Sequence, residues 1–141
     1  MSARALVPFL ALLLGSATLV LNAQKVKKTT IVSTSPASGV AMYTEYCAVC
    51  HGKAGKGDGP AAAALKKTPA DLTMLAMHND GKFPENKVYG SIRGEAETPA
   101  HGSKDMPVWG SLFQDMSHGN SAEVQMRISN LTHYIAGLQA K

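Results

Sequence analysis

Cysteine is scarce in this chain of 141 residues, which contains only Cys47 and Cys50. A small secreted domain that depends on disulfides usually carries four or more cysteines, so the sequence argues against a disulfide framework. Two cysteines three positions apart have other uses, and the residues around them decide between those uses.

Aromatic residues are also few, at 6%, although 45% of the chain is hydrophobic. The length allows one domain of ordinary size, and its core would be thin if it were built from side chains alone. The net charge of +4 is too weak and too evenly spread to predict a nucleic-acid-binding surface. It is compatible with docking onto an acidic protein partner.

The amino-terminal residues have the pattern of an export signal. Arg4 precedes an apolar stretch at residues 5–14, and small residues follow, with Ala17 and Ala23 as the two candidate cleavage sites. The stretch from 5 to 21 is near the lower length limit for a membrane-spanning helix, so retention as an anchor is the alternative. Both interpretations place the folded part outside the cytoplasm, in the periplasm or an equivalent compartment.

The rest of the chain divides into a tether and one domain. Residues 1–23 are the signal peptide or anchor, residues 24–36 are rich in lysine, serine and threonine and predict a flexible tether, and residues 37–141 form the domain.

No alternating strand pattern is visible in that domain, and several segments have helical spacing. Helices are predicted at residues 39–50, 84–93 and 121–138, with short helical candidates at 61–66 and 70–77. Ser38 and Ser121 are the expected caps of the first and last helices. These patterns predict an all-α fold.

The chemistry resides in the run Cys47-Ala-Val-Cys50-His51, which has the Cys-x-x-Cys-His spacing of c-type haem attachment. Residues three and four apart lie on one face of a helix. Both thiols can therefore bond one porphyrin while the imidazole reaches its iron. A thioredoxin-like dithiol requires a strand followed by a helix, and the sequence shows no strand there. A zinc site of this type requires further cysteine ligands, and the chain has no other cysteine.

Around this motif the chain resembles the class I cytochrome c family, in particular its bacterial monohaem members. Gly39 and Tyr43 precede the motif where family members place a glycine and an aromatic that pack against the last helix, here with Leu131 and Tyr134. Residues 52–60 resemble the family's glycine-rich loop, and residues 105–110 resemble the loop that delivers a methionine ligand. Residues 94–104 are more polar than the corresponding part of short members.

The resemblance implies a cytochrome c fold of three to five helices around one covalent haem, with crossing terminal helices. It implies iron ligation by His51 and Met106, and a carbonyl of Pro60 that accepts a hydrogen bond from the His51 ring. Among other candidates for the sixth ligand, His101 ranks next and Met116 is a weak choice, whereas the remaining methionines that we compared are expected in the core: Met42, Met74, Met77 and Met126. For Trp109, contact with the haem edge and core packing both stay open.

A haem iron with a histidine and a methionine ligand favours one-electron transfer over catalysis. We therefore expect a non-enzymatic electron carrier in a respiratory or related chain, with redox proteins as partners, soluble or part of a membrane complex. The alternatives are an electron-entry haem subunit of a larger redox enzyme, or a haem sensor whose sixth ligand can be displaced.

Overall fold

The computed structural model describes residues 32–95 and 109–140, and all of these belong to the unit Ile31–Lys141. Their secondary structure is helical and includes no strand, which confirms the all-α class for this part of the chain. None of the helices in these ranges is long and apolar enough to cross a membrane. The predicted signal or anchor, residues 1–23, lies outside the described residues.

The α-helices of the described residues differ widely in length. Shorter 3₁₀ turns occupy Ala62–Ala64, Leu72–Met74 and Met77–Asn79, where the sequence predicted two short helices. The α-helices themselves are Gly39–Met42 (α1), Ala48–His51 (α2), Glu85–Arg93 (α3), Trp109–Met116 (α4) and Ser121–Gly137 (α5).

A π-helical turn, Tyr43–Cys47, joins α1 to α2, so that one helical run extends from residue 39 to residue 51. Ser38 caps this run as predicted, because its side chain accepts a hydrogen bond from the Ala41 amide at 3.2 Å. Val40 has α-helical spacing to the buried Tyr43 and Cys47, which predicts a buried position, but it is 53% exposed. A π-helical turn holds more residues than an α-helical one, so it rotates the preceding residues away from the α-helical register.

The first and last helices pack against each other at Gly39. A Cβ atom at this position would overlap the carbonyl oxygen of Asn130 and would lie 2.9 Å from the Cβ of Tyr134. The Tyr43 and Tyr134 rings meet with their centroids 5.0 Å apart, and Leu131 is fully buried. The helix contact predicted from these residues is therefore confirmed.

Helix α5 supplies much of the core through a stripe at helical spacing, which is buried as the sequence predicted: Val124, Ile128, Leu131 and Ile135. Its cap is Asn120 and not Ser121. Asn120 has an extended backbone, and its side chain accepts hydrogen bonds from the amides of Ala122 and Glu123. Ser121 has already entered the helix, which corrects the predicted start by one residue.

Helices α3 and α4 lie together at one end of the core. Gly94 ends α3 in the left-handed conformation, with φ 86°, and a Cβ on Gly110 would overlap the carbonyl oxygen of Arg93. Residues 105–110 were compared with a loop that delivers a methionine ligand, yet α4 begins at Trp109. Apolar residues at 109, 112, 113 and 116 have the helical period that this interpretation overlooked.

Residues 32–36 were assigned to a flexible tether, and this assignment is wrong for them. The Tyr46 hydroxyl donates to the Val32 carbonyl at 2.7 Å and contacts the hydroxyl of Thr34 at 2.9 Å. From α5, Arg127 donates to the Thr34 carbonyl at 2.8 Å and Asn130 to the Pro36 carbonyl at 2.9 Å. Partners distant in the sequence hold this segment on the domain, so its polar composition was misleading.

Candidate functional site

Cys47, Cys50 and His51 lie together at the carboxyl end of the first helical run. Cys47 is the last residue of the π-helical turn and is buried, whereas Cys50 and His51 lie in α2 and are partly exposed. Neither cysteine forms a disulfide. The structure thus places two free thiols and one imidazole within the last five residues of the helical run 39–51.

The glycine-rich loop after the motif folds back and pairs with the end of this helix. The last four carbonyl groups of an α-helix have no partner within the helix. Here every one of them accepts a backbone hydrogen bond: Ala48 from Gly52 at 2.9 Å, Val49 from Ala61 at 2.9 Å, Cys50 from Gly59 at 3.0 Å and His51 from Gly57 at 2.8 Å. The loop therefore fixes the backbone that carries the motif.

Glycine is required in this loop because the backbone itself is packed closely. Gly52, Gly55, Gly57 and Gly59 are all buried, while the residues between them are exposed. A Cβ on Gly59 would lie 2.6 Å from the Cys50 carbonyl oxygen, and Gly57 has φ +79° beside the Pro69 carbonyl. The glycines of this loop thus allow its backbone to contact the backbone of neighbouring segments directly.

Tyr43 connects this loop to the beginning of the helical run. Its hydroxyl donates to the Gly52 carbonyl at 2.8 Å, and the same ring packs on α5. Burial, and next the nearby Cys47, raises the pKa of Tyr43 to about 12. The phenol consequently stays protonated and keeps its hydrogen bond over the physiological pH range.

The His51 ring is oriented by a hydrogen bond between Nδ1 and the carbonyl oxygen of Ala70, at 3.0 Å. A carbonyl only accepts, so Nδ1 carries the proton and Nε2 of the neutral ring keeps its lone pair. Burial lowers the pKa of His51, although the bond to Ala70 opposes this effect. Because Nε2 makes no hydrogen bond with a described residue, it is available as a ligand.

The predicted partner of this ring, Pro60, is incorrect. Pro60 is exposed, and the amide of the next residue, Ala61, is bonded to Val49, which keeps the loop on the helix end. The carbonyl at the His51 ring instead belongs to the residue after Pro69. Pro60 and Pro69 both follow the motif within 20 residues, and their spacing alone did not indicate which segment returns to the histidine.

Cys47 is poorly suited to be a redox nucleophile. Burial, and next the adjacent Cys50, raises the pKa of Cys47 to about 12. Reactive cysteines of dithiol proteins have lowered pKa values, commonly at free helix amino termini, whereas both of these cysteines lie in the last five residues of the helical run 39–51. The environment therefore argues against a thioredoxin-like function.

A groove of about 350 Å³ is lined in part by Ala70, the residue whose carbonyl contacts the His51 ring. Its lining includes Leu75 and Val88 together with polar side chains. Within the described ranges, no three histidine, cysteine or acidic side chains gather where they could hold a metal ion.

Trp109 is buried within an aromatic cluster that also contains Tyr46 and Phe113. Its ring centroid lies 5.3 Å from that of Tyr46 and 5.9 Å from that of Phe113. This arrangement supports the core-packing interpretation of the tryptophan. Contact with a haem edge stays a prediction.

The predicted sixth ligand, Met106, lies outside the described residues, as does its alternative His101. Among the methionines expected in the core, Met42 is fully buried, but Met77 is 63% and Met126 is 47% exposed. The expectation is therefore confirmed for Met42 and wrong for Met77 and Met126.

Comparisons with models of protein families, with curated proteins and with solved structures returned no match for this chain.

Proposed function

We propose that this chain is a c-type cytochrome that carries single electrons outside the cytoplasm. The observation that supports this most is the state of His51. Its Nδ1–H is held by the Ala70 carbonyl, and its Nε2 is left free on the same helical run as two unpaired thiols. Two thiols and one imidazole at this spacing are what covalent haem attachment requires.

Each residue has a defined part in this proposal. Cys47 and Cys50 would hold one haem covalently through thioether bonds, and His51 would be a ligand of its iron. Met106 would supply the second protein ligand. When bound, the haem supplies a reversible one-electron couple, and a thioether ligand favours the ferrous state. The Ala70 carbonyl fixes the imidazole and increases its basicity.

The surroundings support the same proposal. Electron transfer needs ligands that stay in place in both oxidation states, and the motif's backbone is held by four carbonyl-to-amide hydrogen bonds. The contact of the first helical run with α5 at Gly39 agrees with the class I cytochrome c fold that the sequence resembles. We assign this fold, and redox proteins as partners, as part of the proposal.

Attachment is tested by export of the chain in a host with a haem-ligation system. We expect the haem to stay with the protein during acid–acetone extraction, and the Cys47→Ala/Cys50→Ala variant to release it. The exposed substitution Thr44→Ala, on the same helical run, is the control and should retain the haem. Free extraction of haem from the unmodified protein would contradict the proposal.

The sixth ligand is tested by Met106→Ala. A thioether on ferric haem gives a weak absorption band at the red end of the visible spectrum, and this band should disappear in the variant. The reduction potential should fall and carbon monoxide binding should increase, because the ligand that favoured ferrous iron is gone. Met116→Leu and His101→Ala should change none of these properties.

Two outcomes would redirect the proposal. Loss of the band in His101→Ala, with Met106→Ala unaffected, would reassign the ligand. Strong carbon monoxide binding by the unmodified protein would favour a sensor or catalyst instead of an electron carrier.

A further inference from the structure

The carbonyl that orients His51 belongs to a segment with little regular structure, and residues 70–76 need other restraints. Two restraints are local to the site. The Leu72 amide donates to the Gly55 carbonyl at 2.6 Å, and the Asp71 carboxylate accepts from the Thr73 amide at 2.8 Å. These bonds fix the beginning of the segment but leave the later part to be held by other residues.

The later part is held by Gln139, just beyond the end of α5. Its Oε1 accepts from the Ala76 amide at 2.8 Å, and its Nε2 donates to the Leu72 carbonyl at 2.7 Å and to the Ile135 carbonyl at 2.9 Å. An amide N–H only donates and a carbonyl only accepts, so these partners determine the orientation of the side-chain amide. Next to it, the Ala140 amide donates to the Thr73 carbonyl at 2.9 Å.

Gln139 therefore joins the end of α5 to Ala76 and Leu72, which lie 63 and 67 residues earlier in the chain. It uses both amide hydrogens and its carbonyl oxygen, and it is also bonded through Ile135 to α5, which carries six buried residues. We infer that Gln139 is a positioning residue: it holds residues 70–76 on the end of α5 so that the Ala70 carbonyl keeps the His51 ring in one orientation. The consequence for an axial ligand rests on the proposed function, whereas the contact itself belongs to the protein chain.

The test compares three variants of the full-length exported protein in its reduced form. Gln139→Ala removes all three hydrogen bonds. Gln139→Glu keeps an acceptor for the Ala76 amide but places a carboxylate against two carbonyl groups. Gln125→Ala is the matched control, since Gln125 is an exposed glutamine of α5 that is far along the helix from this contact.

The primary measurement is hydrogen exchange at Nδ1–H of His51, observed by NMR. In Gln139→Ala and Gln139→Glu we expect exchange to become faster by about tenfold or more, because each variant loses hydrogen bonds that hold the segment closed. Exchange at the core amides of Ile128 and Leu131 should stay as in the unmodified protein. Gln125→Ala should change neither measurement.

The reduction potential gives a second measurement on the haem-loaded protein. Weakening the bond from Nδ1–H to the carbonyl makes the imidazole a poorer electron donor, so the potential should rise in Gln139→Ala.

Unchanged His51 exchange in Gln139→Ala would overturn the inference. Equal acceleration at His51 and at the α5 core amides would also overturn it, since it would show a general structural role. If the protein carries no covalent haem, the proposed function fails, and the exchange comparison still tests Gln139 in the protein as isolated.

Discussion

The two ends of the first helical run are held in different ways. At its amino end the contact is with α5, where Gly39 lies against the Asn130 carbonyl and the Tyr134 side chain, and the Tyr43 and Tyr134 rings pack with their centroids 5.0 Å apart. At its carboxyl end, the four last carbonyl groups bond to amides of a glycine-rich loop, and the contacts are between backbone atoms.

The two kinds of contact contribute differently: the first mainly to the stability of the fold, the second mainly to the exact position of the backbone. Side-chain packing contributes most of the apolar burial, and a packed contact can adjust by small shifts of several side chains. A backbone contact has little to adjust, because the interacting groups are fixed to the chain. The proposed ligand His51 lies at the backbone-held end, where its position depends on hydrogen-bond geometry more than on side-chain volume.

The largest effect is expected at Gly57, in the backbone-held loop. Gly57→Ala should destabilise the protein by about 2–5 kcal/mol, which combines the strain of a left-handed non-glycine residue with overlap on the Pro69 carbonyl. Urea unfolding of the exported protein measures this change.

Gly81→Ala is the matched control for that substitution. Gly81 has nearly the same φ, +77°, but a Cβ there would meet nothing within 4 Å. Only the conformational strain remains, about 1–2 kcal/mol. Equal losses in the two variants would show that close backbone contact in the loop contributes nothing.

A smaller loss is expected at the packed end. Gly39→Val should destabilise the protein by about 1–3 kcal/mol, because its side chain would be forced against Asn130 and Tyr134 of α5. Thermal unfolding measures the change. Gly90→Ala in α3 is the control with open space around it, and it should stabilise by up to about 1 kcal/mol through helix propensity. An unchanged stability of Gly39→Val would show that the helix contact at Gly39 does not contribute to the free energy of unfolding.

Local patterns predicted the parts of the fold that depend on local physics. The stripe on α5 and the cap at Ser38 follow from helical spacing and side-chain chemistry, and both are confirmed. The motif spacing likewise indicated that Cys47, Cys50 and His51 share one helix, and they do.

The missed features depend on contacts between residues distant in the sequence. Ala70 has no side-chain signal for a carbonyl acceptor, and Gln139 acts on residues more than 60 positions away. The segment 32–36 has the composition of a tether, yet Arg127 and Asn130 of α5 hold its carbonyl groups. A local signal existed only for Asp71, whose spacing to Thr73 is typical of a capped turn.

The smallest effect concerns Glu123, which belongs to the contact between α5 and residues 32–36. Its carboxylate accepts from the buried Arg127 guanidinium at 2.8 Å and from the Ser117 hydroxyl at 3.0 Å. These bonds lower the pKa of Glu123 below its ordinary value of 4.5, and the bond from Arg127 is the larger cause. A lowered acid pKa stabilises the folded state above the unfolded pKa, and this contribution is lost as the pH falls through the folded value. The side chain stays 29% exposed, so solvent screening keeps the effect small.

Urea unfolding of the unmodified protein and of Glu123→Gln at a series of pH values tests this contribution. The unmodified protein should be the more stable of the two at pH 7, and the difference should shrink below pH 4.5, where the carboxylate becomes protonated. In an Arg127→Met background the same comparison should depend less on pH, because the main cause of the lowered pKa has been removed. A stability difference that is constant from neutral to acid pH would show that the ion pair on α5 contributes nothing through its charge, and that Arg127 holds residues 32–36 through its bond to the Thr34 carbonyl alone.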